Sequence, residues 1–321
     1  MTNFLKGKNV LVTGGSGFVG TNLITRLLEL GANVTGTYNK NLPQVQTDII
    51  RWCKVDLTDK ESCHFVTLDQ DYVFMCAANT SGAAVMENTP LVHVTPNVIM
   101  NSLMLEQAYV NKVKKFIFLS SNCVYPYADF PLAEEHCTGE FFHKYFFVAN
   151  MKRFSEILCQ MYSEKIKNPM TCIVVRPSNI YGPYDDFEWE TSHSTPALIR
   201  KVIERQDPII VWGDGNAQKD LIYISDFIDG LISVTEKVNN FDIINLASGK
   251  SYSIKETLNI ILKTEHYDEA NIIFDETKPT MIPKRLISIE KAKRELNFNP
   301  KISLSEGILE TIKWYRDKCG L

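Results

Sequence analysis

Asn9-Val10-Leu11-Val12-Thr13-Gly14-Gly15-Ser16-Gly17-Phe18-Val19-Gly20 decides how this chain of 321 residues is read. Residues 10–12 are a short apolar run of the kind that sits buried in a sheet. A glycine-rich turn follows, and Leu23, Ile24, Leu27 and Leu28 then recur at helical spacing. The turn therefore joins a strand to a helix. Gly14, Gly17 and Gly20 are spaced G-x-x-G-x-x-G, a variant of the dinucleotide fingerprint. Their missing side chains allow a tight turn, close approach of backbone amides to a pyrophosphate, and close packing of helix on strand. The helix N-terminus adds partial positive charge where the phosphates sit, so Gly14, Gly17, Phe18 and Val19 are assigned to cofactor binding.

Bulk properties narrow the class. A chain of this length can bury a large core and holds room for two lobes. Its hydrophobic content of 45% and charged content of 22% are ordinary for a soluble globular protein. A formal net charge of −4 offers no basic footprint for nucleic acid or an anionic membrane. No apolar run reaches the length of a membrane span, and the first strand begins too early to leave room for a signal peptide. The eight cysteines include no C-x-x-C pair, so no metal site is expected. Scattered cysteines in a chain this long point to reduced thiols and a cytoplasmic address.

Along the chain, Gly31 reads as the stop of the first helix. A second strand over 33–38 ends in Thr37-Tyr38-Asn39-Lys40, without the acid that often holds the ribose hydroxyls. Asn39 takes the ribose position there, and Lys40 keeps a 2′-phosphate open, so NAD is preferred and NADP not excluded. A third strand over 52–55 leads into Asp56-Leu57, also assigned to the cofactor. Asp56 either accepts from the adenine amino group or caps the turn over 58–62. A fourth strand over 72–77 ends in Ala77-Ala78, whose small side chains suit a cofactor lying across the sheet. Helical periodicity over 97–109, a strand over 116–119, a helix over 148–162 and a strand over 171–175 follow.

Such alternation means an α/β fold, a Rossmann-type doubly wound parallel sheet with its ligand crevice at the strands' C-terminal ends. Residues 1–176 form the dinucleotide-binding domain. Residues 177–321, broken by Pro177, Gly182, Pro183, Pro196, Pro208, Gly213 and Gly215, form mainly a smaller α/β substrate lobe. A later strand near 241–247 returns to the main sheet. Capping boxes, Ser253 with Glu256 and Ser303 with Glu306, open two late helices.

The glycine turn, Ser121-Asn122-Cys123-Val124-Tyr125-Pro126 and Arg176-Pro177-Ser178-Asn179-Ile180-Tyr181-Gly182-Pro183 together resemble the extended short-chain dehydrogenase/reductase superfamily. Three further stretches are similar to GDP-L-fucose synthase-like GDP-sugar epimerases and reductases: Ser192-His193-Ser194-Thr195-Pro196-Ala197-Leu198-Ile199-Arg200, Val211-Trp212-Gly213-Asp214-Gly215 and Pro283-Lys284-Arg285-Leu286. The resemblance runs along nearly the whole chain.

It implies a Ser, Tyr and Lys set in which tyrosinate moves a sugar hydroxyl's proton while hydride passes to or from nicotinamide. Ser121 and Lys152 match two of the three. Lys152 also holds the nicotinamide ribose. The tyrosine belongs four residues before the lysine, where this chain has Val148, and no Tyr-x-x-x-Lys occurs anywhere. Ser121, a water held by Lys152, or Tyr145 are the candidates to replace it. Helical geometry would turn Tyr145 to a different azimuth from Val148. The resemblance further makes Cys123 and His193 the pair that exchanges protons at the carbons flanking a keto group. Packing and solvation are the plain alternatives for these two. For the nucleotide sugar it implies Asn179, His193, Lys201, Trp212, Lys219 and Arg285, with surface charge the alternative for Lys219 and Arg285. The helices over 97–109 and 148–162 resemble the superfamily's dimer contact, which predicts a homodimer or a higher homo-oligomer.

Three functions are compatible with these residues. One is NAD-dependent oxidation at C4 of a GDP-linked manno-configured sugar, such as the GDP-D-glycero-α-D-manno-heptose of bacterial capsule pathways. The second is a GDP-sugar 3,5-epimerase/4-reductase. The third is a non-catalytic dinucleotide-binding sensor.

Overall fold

Val10, Leu11 and Val12 lose all their solvent exposure, as strands covered on both faces must. A computed structural model describes residues 4–80 and 89–320. Its strands are β1 (Asn9–Thr13), β2 (Asn33–Tyr38), β3 (Ile50–Lys54), β4 (Tyr72–Met75), β5 (Lys115–Leu119), β6 (Thr171–Pro177), β7 (Asn179–Tyr181), β8 (Ile209–Trp212), β9 (Gln218–Tyr223), β10 (Asp242–Leu246), β11 (Ser251–Ser253) and β12 (Ile272–Asp275). The main sheet has seven strands in the order β10-β6-β5-β4-β1-β2-β3, every pair parallel. From β1 the chain builds outward to β2 and β3 and then crosses back to β4. That reversal opens a crevice beyond the C-terminal ends of β1 and β4.

Alternating side chains sort onto two cores. Val10, Val12, Ile117 and Leu119 face α1 (Phe18–Glu29). Leu11, Phe116 and Phe118 face α2 (Lys60–Thr67) and α3 (Thr95–Val110). The long α4 (Phe146–Glu164) packs beside α3, where Asn101 Nδ2 donates to Ser155 Oγ at 2.9 Å. Gly31, at φ +75°, follows α1 in the left-handed conformation its position predicts. Strand β10 joins the main sheet beside β6.

The remaining strands form two small sheets, β11-β9-β7 and β12-β8, around a separate apolar cluster that includes Leu198, Val211, Leu258 and Ile308. Helices α5 (Ser194–Ile203), α6 (Ile224–Lys237), α7 (Ile254–Thr264), α8 (Glu290–Leu296) and α9 (Leu304–Cys319) complete the chain. Both capping boxes are present, Ser253 accepting from the Glu256 amide and Ser303 from the Glu306 amide. Asp59, not Asp56, caps α2, accepting from the Ser62 amide at 2.8 Å. Asp56 closes a turn one step earlier, its Oδ1 taking the Thr58 amide at 2.9 Å, which corrects its assignment as a helix cap. Among the described residues no helix is long and apolar enough to cross a membrane.

Candidate active site

The glycine turn is built as its spacing requires. A Cβ on Gly20 would lie 2.2 Å from the Gly14 carbonyl oxygen, so only glycine lets α1 approach the turn this closely. A Cβ on Gly14, at φ +63°, would lie 2.8 Å from the Ala77 Cα. Thr37 pins the turn to β2: its Oγ1 accepts from the Gly14 amide at 3.0 Å and its carbonyl from Gly15 at 2.8 Å. Gly17 starts α1 without a side-chain cap, and no acid occupies the first turn. The amides of Phe18 and Val19 are thereby left for an anion. Ala77 and Ala78 follow β4 at the mouth of the crevice. Asn39 and Asp56 are exposed at its edge, with Leu57 buried beneath. A cradle closed to any Cβ, with uncapped amides and small walls, fits a dinucleotide pyrophosphate.

Beyond β5 the catalytic candidates gather. Ser121 Oγ accepts from the Cys123 amide at 3.2 Å. Lys152, buried on α4, donates from Nζ to the Leu119 carbonyl at 2.7 Å and stands 5.1 Å over the Phe118 ring. Burial lowers the Lys152 pKa, with the Cys123 thiol and Glu156 opposing. Burial likewise pushes the Cys123 thiol up to about 11, against the pull of Ser121 and Lys152. At neutral pH the thiol is therefore protonated.

Tyr145 and Val148 both pack on the apolar cluster of Cys123, Val124, Tyr125 and Ile287. Tyr145 ends a 3₁₀ turn (His143–Tyr145) ahead of α4. This corrects the expectation that helical geometry separates the two azimuths, because Tyr145 precedes the helix. Burial pushes its phenol up to about 12, opposed chiefly by Arg285. Arg285 points inward at 1% exposure, donating to the carbonyls of Pro126 at 2.9 Å and Tyr125 at 3.3 Å.

Behind these groups runs a buried polar network invisible to local sequence patterns. Glu156 accepts from Ser120 Oγ at 2.6 Å and from Arg176 at 2.8 and 2.7 Å. Arg176 also reaches the Tyr125 hydroxyl at 3.0 Å, which donates to Asn245 Oδ1 at 2.6 Å. The signal available was Glu156 one helical turn after Lys152, on the face of α4 turned to the core.

Of the substrate candidates, His193 begins α5 in the second lobe. Its ring is exposed, yet the surrounding protein desolvates it and Lys219 adds a like charge, both lowering its pKa. Asp186 opposes them, and His93 is a further neighbour on the lowering side. Lys219 donates to Ser194 Oγ at 3.1 Å. Asn179 donates to the Asp220 carbonyl at 3.1 Å. The Asp220 carboxyl, raised to about 6 by burial, takes amides from Ser248, Gly249 and Ile287 and so ties Ile287 to the turn after β10. Lys201 donates to the Ile210 carbonyl, beside exposed Trp212 on β8. His193 and Lys219 are thus brought together. Lys201 and Trp212 share another edge of the lobe, and Arg285 joins the Cys123 group instead.

A doubly wound sheet with an uncapped glycine turn and a Ser–Lys pair at the end of β5 defines a nicotinamide-dependent enzyme of the short-chain dehydrogenase/reductase class. The profile of the NAD dependent epimerase/dehydratase family matches residues 10–247. GDP-L-fucose synthase of Sinorhizobium fredii (strain NBRC 101917 / NGR234) is 30% identical over 96% of this chain and 95% of its own. A probable GDP-L-fucose synthase 1 of Oryza sativa subsp. japonica is 28% identical over 97% of this chain and 92% of its own. In fold, the chain superposes on a GDP-6-OMe-4-keto-L-xylo-heptose reductase from C. jejuni with a TM-score of 0.85, at 21% identity over 99% of both chains. The chain belongs to the NAD dependent epimerase/dehydratase family, an enzyme family whose cofactor is NAD.

Proposed function

We propose that the protein oxidises C4 of a GDP-linked manno-configured sugar, for which GDP-D-glycero-α-D-manno-heptose of capsule synthesis is the type substrate. The observation that carries this reading is Val148 in the place of the acid–base tyrosine, with Ser121 and Lys152 retained. A positioned acid–base group contributes about 10²–10⁴-fold. An enzyme that makes a ketone once and keeps its cofactor tolerates that loss better than one turning over as a reductase. Nicotinamide, when bound, supplies the two-electron hydride chemistry. In this reading Ser121 and Lys152 hold the sugar oxygen and ribose, Lys219 meets the diphosphate, and Asn179, Lys201 and Trp212 line the sugar-nucleotide side. A GDP-sugar substrate accords with the fucose synthase relatives. The eight unpaired thiols accord with a cytoplasmic address.

A second reading, 3,5-epimerisation with 4-reduction, is favoured by those relatives and by the neutral Cys123 thiol and lowered His193 imidazole. A protonated thiol and an unprotonated imidazole form a donor and an acceptor for exchange beside a ketone. The sensor reading gives way to membership in the NAD dependent epimerase/dehydratase family.

One preparation separates the two. The purified protein is read for carried nicotinamide and then incubated with GDP-mannose and with GDP-heptose in heavy water. Reduced cofactor without exchange is the outcome for oxidation. Deuterium at C3 or C5 overturns it in favour of the epimerase/reductase.

A further inference from the structure

We propose that Trp52 fixes the choice of dinucleotide, walling the adenosine end of the site with an apolar indole so that NAD is taken and a 2′-phosphate is refused. This rests on a dinucleotide lying in the glycine cradle and stands apart from the sugar chemistry. In a doubly wound fold the ribose 2′-oxygen lies at the end of the second strand, where an acid holds it or an arginine meets its phosphate. Here that corner lies between Gly15 of the turn and Tyr38 at the end of β2. Trp52 stands on β3 opposite Gly36, on the α1 side of the sheet. Its benzo ring lies over Gly36 so closely that any Cβ there would overlap it. A Cβ on Gly15 would come 2.8 Å from Trp52 Cζ3. Tyr38 meets the indole edge-on, with ring centroids 6.3 Å apart. The indole thus bridges the glycine turn and the last residues of β2.

Around the indole, a phosphate finds little to replace its water. The Gly15 amide already donates to the Thr37 carbonyl at 2.8 Å, and the Thr37 hydroxyl oxygen accepts from the Gly14 amide at 3.0 Å. Trp52 is partly exposed, but its one polar side-chain atom, Nε1, is sealed from solvent and has no hydrogen-bond partner. Lys40, just past β2, and Lys54, at the end of β3, are exposed, so water screens their charge. Neither strand end carries an arginine, whose fork matches a phosphate. A dianion pressed against an apolar ring without new donors loses hydration that it does not recover. A ribose hydroxyl carries no charge and escapes that penalty. Asn39, exposed at the same strand end, keeps a side-chain amide to bond it.

The test titrates NADH and NADPH, followed by nicotinamide fluorescence, into full-length wild type, Trp52→Ala and Trp52→Phe. Wild type is expected to bind NADH about tenfold to hundredfold tighter than NADPH. Trp52→Ala lets water back into the corner and is expected to cut that ratio about tenfold, chiefly through tighter NADPH binding. Trp52→Phe keeps a ring over Gly36 and is expected to keep the ratio. A packing role alone would weaken both dinucleotides together in Trp52→Ala and leave the ratio unchanged, and that result overturns the inference. So does a wild type that binds the two equally, a measurement that stands even where Trp52→Ala does not fold. A second arm reads the phosphate without nicotinamide. Adenosine 5′-monophosphate is expected to displace NADH from wild type at lower concentration than adenosine 2′,5′-bisphosphate, and the reverse order overturns the inference. A protein that binds neither dinucleotide removes the cradle, and the inference with it, whatever becomes of the sugar reaction.

Discussion

Arg176 grips Glu156 by two parallel hydrogen bonds, Nε to Oε1 at 2.8 Å and Nη2 to Oε2 at 2.7 Å, with neither side chain more than 1% exposed. Removing one partner of such a pair leaves a buried charge uncompensated. Glu156→Ala is expected to cost about 3–5 kcal/mol of stability, measured by urea unfolding. A loss under 1 kcal/mol would mean that solvent reaches Arg176. Because Glu156 also holds Ser120 beside Ser121, hydride transfer should fall in the folded fraction.

Gly20 and Gly14 test the cofactor cradle. With 2.2 Å between a Cβ at 20 and the Gly14 oxygen, Gly20→Ala must push α1 off the turn. Overpacking of 1–3 kcal/mol corresponds to about a tenfold to hundredfold loss of NAD affinity. Fluorescence titration with NADH measures it, and unchanged affinity would place the pyrophosphate elsewhere.

Asp185 sits buried in the loop after β7, with Oδ1 taking the Asp186 amide and Oδ2 without a partner. Burial raises its carboxyl to about 7. A raised acid pKa favours the folded state when protonated, below the unfolded value near 3.9. That contribution is lost as pH rises through about 7. Asp185→Asn should therefore be more stable than wild type at pH 8, by on the order of a few kcal/mol, and unfold at a higher temperature. The difference should vanish toward pH 4. Calorimetry across that range checks the sign.

Along α4, Phe147, Phe154 and Met161 recur every seven residues at 43%, 44% and 46% exposure. An apolar stripe on an outer helix face supports the homodimer proposed from the sequence. Phe154→Glu is expected to yield a monomer by analytical ultracentrifugation. A wild-type protein that is itself monomeric at micromolar concentration removes the proposal.

Much of the main sheet was legible because its cues are local. Residues 33–38 are the same in the expected and observed second strand, and both capping boxes close as written. Of the two readings open for Asp56, the capping one falls three residues early, since Asp59 caps α2 and Asp56 closes the turn before it. The Tyr145 azimuth was misjudged for a similar reason: helical spacing was extended into a 3₁₀ turn. Arg285 was read as a nucleotide-sugar contact or a surface charge; its 1% exposure, which has no signature in Pro-Lys-Arg-Leu, excludes the surface charge.

By itself the sequence determined the doubly wound sheet, the glycine cradle, the Ser121–Lys152 pair and the missing tyrosine at 148. These follow from periodicity, glycine spacing and residue identity, all properties of neighbours along the chain. Only the tertiary structure decided that Arg285 turns inward onto the carbonyls of Tyr125 and Pro126 and that Glu156 holds Arg176. Such partners lie far apart in sequence and meet because burying their apolar neighbours forces the charges inward together. No local pattern encodes that meeting, since its energy resides in the shared loss of water.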